Sequence, residues 1–123
     1  MFFHVWFVTK YRKPVLDSKI EERLLTIIKE IVSKKDYKIL EIGPNRDHIH
    51  ILLELDKKEE LPGVVRTLKT VTAKKILEEE TPHSRVGNVK HLWARRYGYK
   101  EIEQEALDTV KKYIRNQKNI PHT

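Results

Sequence analysis

The chain has 123 residues, room for one domain (1–123) and one hydrophobic core. Its 39% apolar and 35% charged residues exclude a disordered chain, and no apolar run approaches the ~20 residues of a membrane span. Zero cysteines exclude disulfides, thiolate metal sites and cysteine nucleophiles. Met1-Phe2-Phe3-His4-Val5-Trp6 lacks the basic lead, apolar block and cleavage site of an export signal, so a cytoplasmic location is expected. Charge supplies the first positive clue. Twenty-five Lys and Arg against 18 Asp and Glu leave a net charge of +7, which favours a polyanionic partner. A charge-rich, heat-adapted surface would explain the density of charge but not its sign.

Phe2 to Thr9 is aromatic and β-branched and predicts a first strand, followed by a basic turn from Lys10 to Pro14. Ser18-Lys19-Ile20-Glu21 reads as a capping box. The helix it opens places Leu24, Ile27, Ile28, Ile31 and Val32 on one face. A second strand is predicted over Tyr37 to Ile42, and Gly43 to Asp47 is rich in turn residues. His48 to Leu55 predicts a third strand, hairpin-paired with the second. A second helix runs from Leu61-Pro62 to Glu80, where Thr81-Pro82 stops it. Val89 to Glu101 supplies a fourth strand, with Gly98 as a bulge or bend. The last helix covers Gln104 to Lys118 and is released at Asn119-Ile120-Pro121. The first six elements form an α+β, ferredoxin-like split βαβ arrangement, an antiparallel four-stranded sheet with two helices on one face. The seventh must cover the open face or reach another subunit.

Alternation along the third strand sends Ile49, Ile51, Leu53 and Leu55 into the core and His48, His50, Leu52 and Glu54 onto the open face. Two imidazoles spaced i, i+2 stand about 7 Å apart along the backbone and can converge on one divalent ion. Hydrogen-bonded surface histidines are the commoner reading of such a pair. On the last helix Tyr113 and Gln117 lie i, i+4 on one face, and Val110 and Ile114 can anchor that face to the sheet. Tyr113 then lies near the histidines, and Gln117 can lend its side-chain oxygen as a third ligand. The plainer alternative is an amphipathic helix whose tyrosine borders the core.

Basic residues gather at Lys10, Arg12 and Lys13, at Arg66, Lys69, Lys74 and Lys75, and at Arg95 and Arg96. Tyr11, Trp93, Tyr97 and Tyr99 interleave with the first and last groups, a make-up suited to single-stranded nucleic acid. A solvated helix face is the plain reading of each group alone, and Trp93 is expected in the core. Arg66, Lys69 and Lys74 fall off the apolar stripe Val65, Leu68, Val71 and Ile76, which predicts an exposed phosphate-contacting surface.

Four segments occur together: Phe7-Val8-Thr9-Lys10-Tyr11-Arg12-Lys13-Pro14-Val15-Leu16, Asp47-His48-Ile49-His50, Leu92-Trp93, and Tyr113-Ile114-Arg115-Asn116-Gln117. In this order and spacing the chain resembles, over nearly its whole length, the small single-tyrosine HUH (His, hydrophobe, His) transposases of the insertion-sequence 200/605 group. The resemblance implies Mg²⁺ or Mn²⁺ at His48, His50 and Gln117, with Tyr113 as nucleophile. It implies cleavage and rejoining of single-stranded DNA with hairpin ends through a 5′-phosphotyrosine, without ATP or any nucleotide cofactor. It also implies a homodimer, in which the tyrosine helix of one subunit completes the other's histidine site. The link Tyr99-Lys100-Glu101-Ile102-Glu103 has no glycine, so action of Tyr113 in cis and in trans are both open.

Other readings have less behind them. Replication initiators and relaxases are larger and flank their tyrosines differently. A domesticated relative that processes repeated palindromes would share the same site. A non-catalytic ferredoxin-like nucleic-acid binder would carry stacking aromatics where this chain has histidines. A two-histidine phosphoesterase needs a second His-x-Ser/Thr element, which His4-Val5-Trp6 and His83-Ser84-Arg85 do not supply.

Overall fold

Alternation in the first strand settles the two faces of the sheet. Phe3, Val5 and Phe7 of β1 (Phe2–Val8) are buried, and the residues between them are half-buried on the other side. The computed structural model describes residues 1–79 and 91–117. Beyond β1 it contains α1 (Ser18–Lys35), β2 (Lys38–Asn45), β3 (His48–Glu54), α2 (Leu61–Glu79), β4 (Gly98–Ile102) and α3 (Leu107–Arg115). The sheet order is β2-β3-β1-β4 and every pairing is antiparallel, which is the expected ferredoxin-like α+β topology. No helix among the described residues is long and apolar enough to cross a membrane.

One face of the sheet carries the main core. Phe3, Val5, Phe7, Ile49, Ile51 and Leu53 meet Leu24, Ile27 and Ile28 of α1 and Leu61, Val65, Leu68 and Ile76 of α2. The outer edges of the two helices are joined by Arg23 and Glu79, whose guanidinium and carboxylate lie 2.6 Å apart. Trp93 packs edge-on against Phe7 at 4.7 Å and donates its indole N–H to Thr72 Oγ1 at 2.9 Å, as its expected core position requires.

The opposite face holds a second, smaller cluster. Leu52, Ile102 and Ile114 are buried there with Phe2, Leu40, Leu107 and Val110 around them, so α3 covers the face that the first six elements leave open. Full burial of Ile114 stabilises that docking by about 1.5–3 kcal/mol.

A β-bulge makes the docking possible. The β2–β3 register passes from Ile39↔Leu53 to Glu41↔Leu52, leaving Leu40 as an extra residue. Both Leu40 and Glu41 therefore serve the α3 side. Leu40 joins the small cluster, and Glu41 accepts a 2.7 Å bond from Arg115 Nε. The parity change also turns Gly43 and Asn45 toward α3, opposite His50 and His48. A Cβ on Gly43 would overlap the Ile114 carbonyl, so only glycine lets the helix backbone come this close.

Several sequence expectations are corrected. The N-cap of α1 is Asp17, whose Oδ1 accepts from the Ile20 N–H at 2.9 Å, so Ser18 is the first helical residue and not a cap. β2 continues through Gly43-Pro44-Asn45, and the turn is only Arg46-Asp47, because the paired edge tolerates a proline whose missing N–H faces away from β3. β4 begins at Gly98. Residues 91–97 are irregular, tied to the chain just past the end of β1 by an isolated bridge between Thr9 and Trp93. Gly98 is neither bulge nor bend. It sits opposite Trp6, and a Cβ there would overlap the indole ring. Gln104–Ala106 is a 3₁₀ turn that leads into α3. The last helix ends at Arg115 and not at Lys118, because Asn116 leaves the helical conformation and caps it, its N–H turning to the carbonyls of Lys112 and Ile114, so Gln117 lies two residues past the helix. The expected helix end at Glu80, the stops at Thr81-Pro82 and Asn119-Ile120-Pro121, and a strand start at Val89 fall outside the described residues.

Candidate active site

The two histidines of β3 face the open side, as alternation requires, and each has a partner on its Nδ1. Asp47, the last turn residue before β3, places Oδ1 2.7 Å from His48 Nδ1. Its other oxygen accepts from Arg12 Nε at 3.2 Å. Burial by itself would raise the Asp47 pKa. The hydrogen bonds from His48 and Arg12, with the Arg12 charge, outweigh it and hold the carboxyl below its ordinary value. Asp47 is therefore ionised at neutral pH, so His48 donates through Nδ1 and presents an Nε2 lone pair.

Arg12 reaches Asp47 from a strained turn. Tyr11 and Arg12 both have left-handed backbones, φ 58° and 52°. The turn is braced by Thr9, whose N–H bonds to Asp47 O at 2.8 Å and whose hydroxyl bonds to Lys13 O at 2.8 Å. It directs Tyr11 outward, 80% exposed.

His50 has a different partner. His4, on the neighbouring strand β1, places Nε2 2.8 Å from His50 Nδ1. Burial, and then the charge of Lys100, push the His4 pKa below the ordinary histidine value. His4 is thus neutral at pH 7 and can accept the His50 Nδ1–H.

From above, α3 brings Tyr113, and the chain just past its end brings Gln117. The Tyr113 ring centre lies 5.7 Å from that of His50 and 6.0 Å from that of His4, and the side chain remains 46% exposed. Gln117 is only 2% exposed. Its Nε2 donates to Tyr113 O at 3.3 Å, its backbone carbonyl accepts from Asn45 Nδ2 at 3.4 Å, and its Oε1 lies 3.5 Å from His48 Nε2.

Two imidazole nitrogens and an amide oxygen are donors able to ligate a divalent ion. Neighbouring ligands of an octahedral ion at about 2.1 Å stand about 3 Å apart, and the His48–Gln117 separation of 3.5 Å is close to that. No group of three His, Cys, Asp or Glu able to hold a metal occurs among the described residues; the donors brought together here are two imidazoles and an amide oxygen. Such a set adds no negative charge and leaves the rest of the coordination shell to water or phosphate.

The expected DNA-contacting residues do not form one surface. Arg12 borders the histidines, and Lys10 lies beside it with Nζ 5.3 Å from the Tyr11 ring centre. Lys13, Arg95 and Arg96 are exposed. Arg66 and Lys74 are exposed on α2, which puts them across the sheet from the histidines. Lys69 is half-buried, against expectation, because its ammonium bonds to the carbonyls of Ala94 at 2.7 Å and Arg95 at 3.1 Å. It holds the segment that carries Arg95 and Arg96.

Sequence reasoning missed His4, Trp6 and the role of Asp47. The signal for the first two was present. Once Phe3, Val5 and Phe7 are taken as core, His4 and Trp6 must share the histidine face.

A ferredoxin-like sheet with a His-hydrophobe-His strand and a tyrosine-bearing helix on its open face defines a class of small DNA-mobilising proteins. The family model described as "Transposase IS200 like" matches residues 1–117, and the chain belongs to this family. The ISDra2 transposase TnpA of Deinococcus radiodurans is 23% identical over 115 residues, covering 94% of this chain and 82% of that protein. The transposase for insertion sequence element IS200 of Salmonella typhimurium is 24% identical over 115 residues, covering 94% and 75%. A crystal structure of a chain assigned as a transposase from Deinococcus radiodurans superposes with a TM-score of 0.70 at 23% identity, over 95% of this chain and 90% of that one. A REP-associated tyrosine transposase bound to a REP hairpin gives a TM-score of 0.64 at 16% identity, over 92% and 62%.

Proposed function

We propose that this transposase cuts and rejoins single-stranded DNA with Tyr113 as the nucleophile and a divalent ion, Mg²⁺ or Mn²⁺, held by His48, His50 and Gln117. The observation that carries the reading is the convergence of α3 and the residues just past it on the histidine face: Gln117 Oε1 lies 3.5 Å from His48 Nε2, four residues beyond Tyr113. The bound ion would supply positive charge to polarise a non-bridging phosphate oxygen and to steady the leaving 3′-oxygen. Asp47 and His4 fix the rings of His48 and His50 through their Nδ1 atoms, so that both present Nε2. Arg12 stands beside Asp47 as a cation for the strand's phosphates.

Tyr113 Oη forms the new bond to phosphorus as the bond from phosphorus to O3′ breaks. The phenol proton passes to solvent, and the departing oxygen takes one up as a free 3′-OH. The phosphodiester energy is kept in the 5′-phosphotyrosine. Attack by a 3′-OH therefore rejoins a strand and restores the tyrosine without ATP.

The substrate class proposed is single-stranded DNA with hairpin ends, in line with the REP hairpin bound by one structural neighbour. The assembly is a homodimer. Because Tyr113 and Gln117 meet the histidines of their own chain, the reading takes the tyrosine to act in cis. The test is incubation with Mg²⁺ or Mn²⁺ and single strands from the flanks of the protein's own gene, followed by denaturing electrophoresis. A covalent adduct that needs metal, is lost in Tyr113→Phe and His50→Ala, and is absent on duplex DNA is expected. No adduct on a strand that binds tightly would leave a plain DNA-binding module in its place.

A further inference from the structure

Tyr113 stands between two hollows of opposite character. On one side lies a polar hollow walled by Arg12, His48, His50 and Gln117, with Trp6 and Val8 also lining it. On the other is a more apolar cleft of about 530 Å³, which shares Trp6, His50 and Tyr113 with the first hollow and is otherwise walled by Lys100, Ile102, Thr109 and Val110, with His4 beside them. We infer that this cleft is a base-binding subsite, which seats the nucleobase beside the phosphate being cut. The inference rests on the reading of Tyr113 as the nucleophile.

Trp6 is the reason for assigning a base. It lies on the open face of a central strand, half-buried at the edge of the cleft, so part of the side chain stays accessible to a ligand there. Its indole lies across the backbone of β4, in space that Gly98 leaves by having no Cβ. The ring is thus held before anything binds, and stacking on it costs little side-chain entropy. His4 supports it from the side, with ring centres 5.0 Å apart.

The walls match a nucleotide as well. Ile102 and Val110 are apolar, Lys100 sets a cation at the rim for the next phosphate, and Thr109 offers an exposed hydroxyl. A nucleotide has a charged end and a flat, weakly solvated end. Two hollows of those characters, on either side of one nucleophile, accept one such unit.

The test uses the strand that the wild-type protein cuts. The nucleotide on either side of the cut phosphate is replaced in turn by an abasic residue, and the rate of adduct formation is measured. One of the two positions is expected to slow the wild type by roughly tenfold. The same replacement should have almost no effect in Trp6→Ala, and should keep its effect in Trp6→Phe, which retains a ring. Thr109 is exposed, so Thr109→Trp fills the cleft without disturbing buried packing. It should slow the intact strand and remove the abasic effect, with Mn²⁺ affinity unchanged.

An equal abasic penalty in wild type, Trp6→Ala and Thr109→Trp overturns the inference. So does a change of oligomeric state in Thr109→Trp with the penalty intact, which would make the cleft a subunit contact. If the wild type forms no adduct on any strand, the nucleophile reading fails by itself. The cleft is then judged by binding: an abasic scan must reveal a position that weakens wild-type affinity and not that of Thr109→Trp, or the subsite fails too.

Discussion

His4 Nε2 lies 2.8 Å from His50 Nδ1, so a histidine of β1 steadies a histidine of β3 as Asp47 steadies His48. Outer partners of this kind orient the ligating ring and select its tautomer. His4→Ala is expected to weaken Mn²⁺ binding by about 10- to 100-fold, measured by calorimetric titration, with the fold unchanged. His4→Gln keeps an acceptor and should recover part of the loss. Unchanged affinity in His4→Ala would mean that His50 needs no such support.

Gly43 sets how closely α3 approaches the sheet. Gly43→Val would drive a side chain into the Ile114 carbonyl, and α3 should lift away while the main core stays folded. Hydrogen exchange over Leu107–Arg115 should lose its protection, and adduct formation should fall with it. Retained protection of α3 would show that the close approach is not essential.

The placement of Tyr113 beside its own chain's histidines makes a mixing experiment decisive. Tyr113→Phe and His50→Ala proteins, combined in equal amounts, should form no more adduct than either alone. Recovery of a substantial part of wild-type activity would place the tyrosine in the partner's site instead.

Lys69 and Arg66 sit one turn apart on α2 but differ in what their charges do. Arg66 is exposed, whereas the Lys69 ammonium is bonded to backbone carbonyls. If Arg66 contacts a phosphate, Arg66→Ala should lower the slope of log affinity against log salt by about 0.7 for single-stranded DNA. Lys69→Met should weaken binding, through loss of the Arg95–Arg96 segment's position, without a reduction in slope attributable to its own charge. A smaller slope in Lys69→Met with the 94–96 segment still ordered would overturn that assignment.

Glu79 is held below the ordinary carboxylate value first by its hydrogen bond from Arg23, against a small opposing effect of burial. A depressed folded-state pKa means that this pair's contribution to stability is present above the unfolded value of 4.5 and is lost as pH falls through the folded one. The difference in urea midpoint between wild type and Glu79→Gln should therefore shrink between pH 6 and pH 3. The exposed position of the pair keeps the effect small.

Much of the site was legible in the residues. The histidine face follows from two-residue alternation around Ile49, Ile51 and Leu53, and Gln117 meets Tyr113 four residues earlier, as helical spacing suggested, even though α3 ends at Arg115 between them. Both periodicities are properties of a few consecutive residues. Less legible were features that depend on a partner strand. Leu40 looks like any strand residue until its register against β3 makes it a bulge, and that bulge turns Gly43 and Asn45 toward α3. Lys69 looks like a surface cation until the segment from Ala94 folds over it.

By itself, then, the sequence determined the order of elements, the two faces of each strand and the residue types brought to the open side. Tertiary structure alone decided that His4 braces His50, that Trp6 lies against Gly98 beside Tyr113, and that α3 docks on its own sheet. Those relationships join residues 46 to 92 positions apart in the chain. They are governed by cross-strand register and by the close contact that a missing Cβ permits, and neither is encoded in local periodicity.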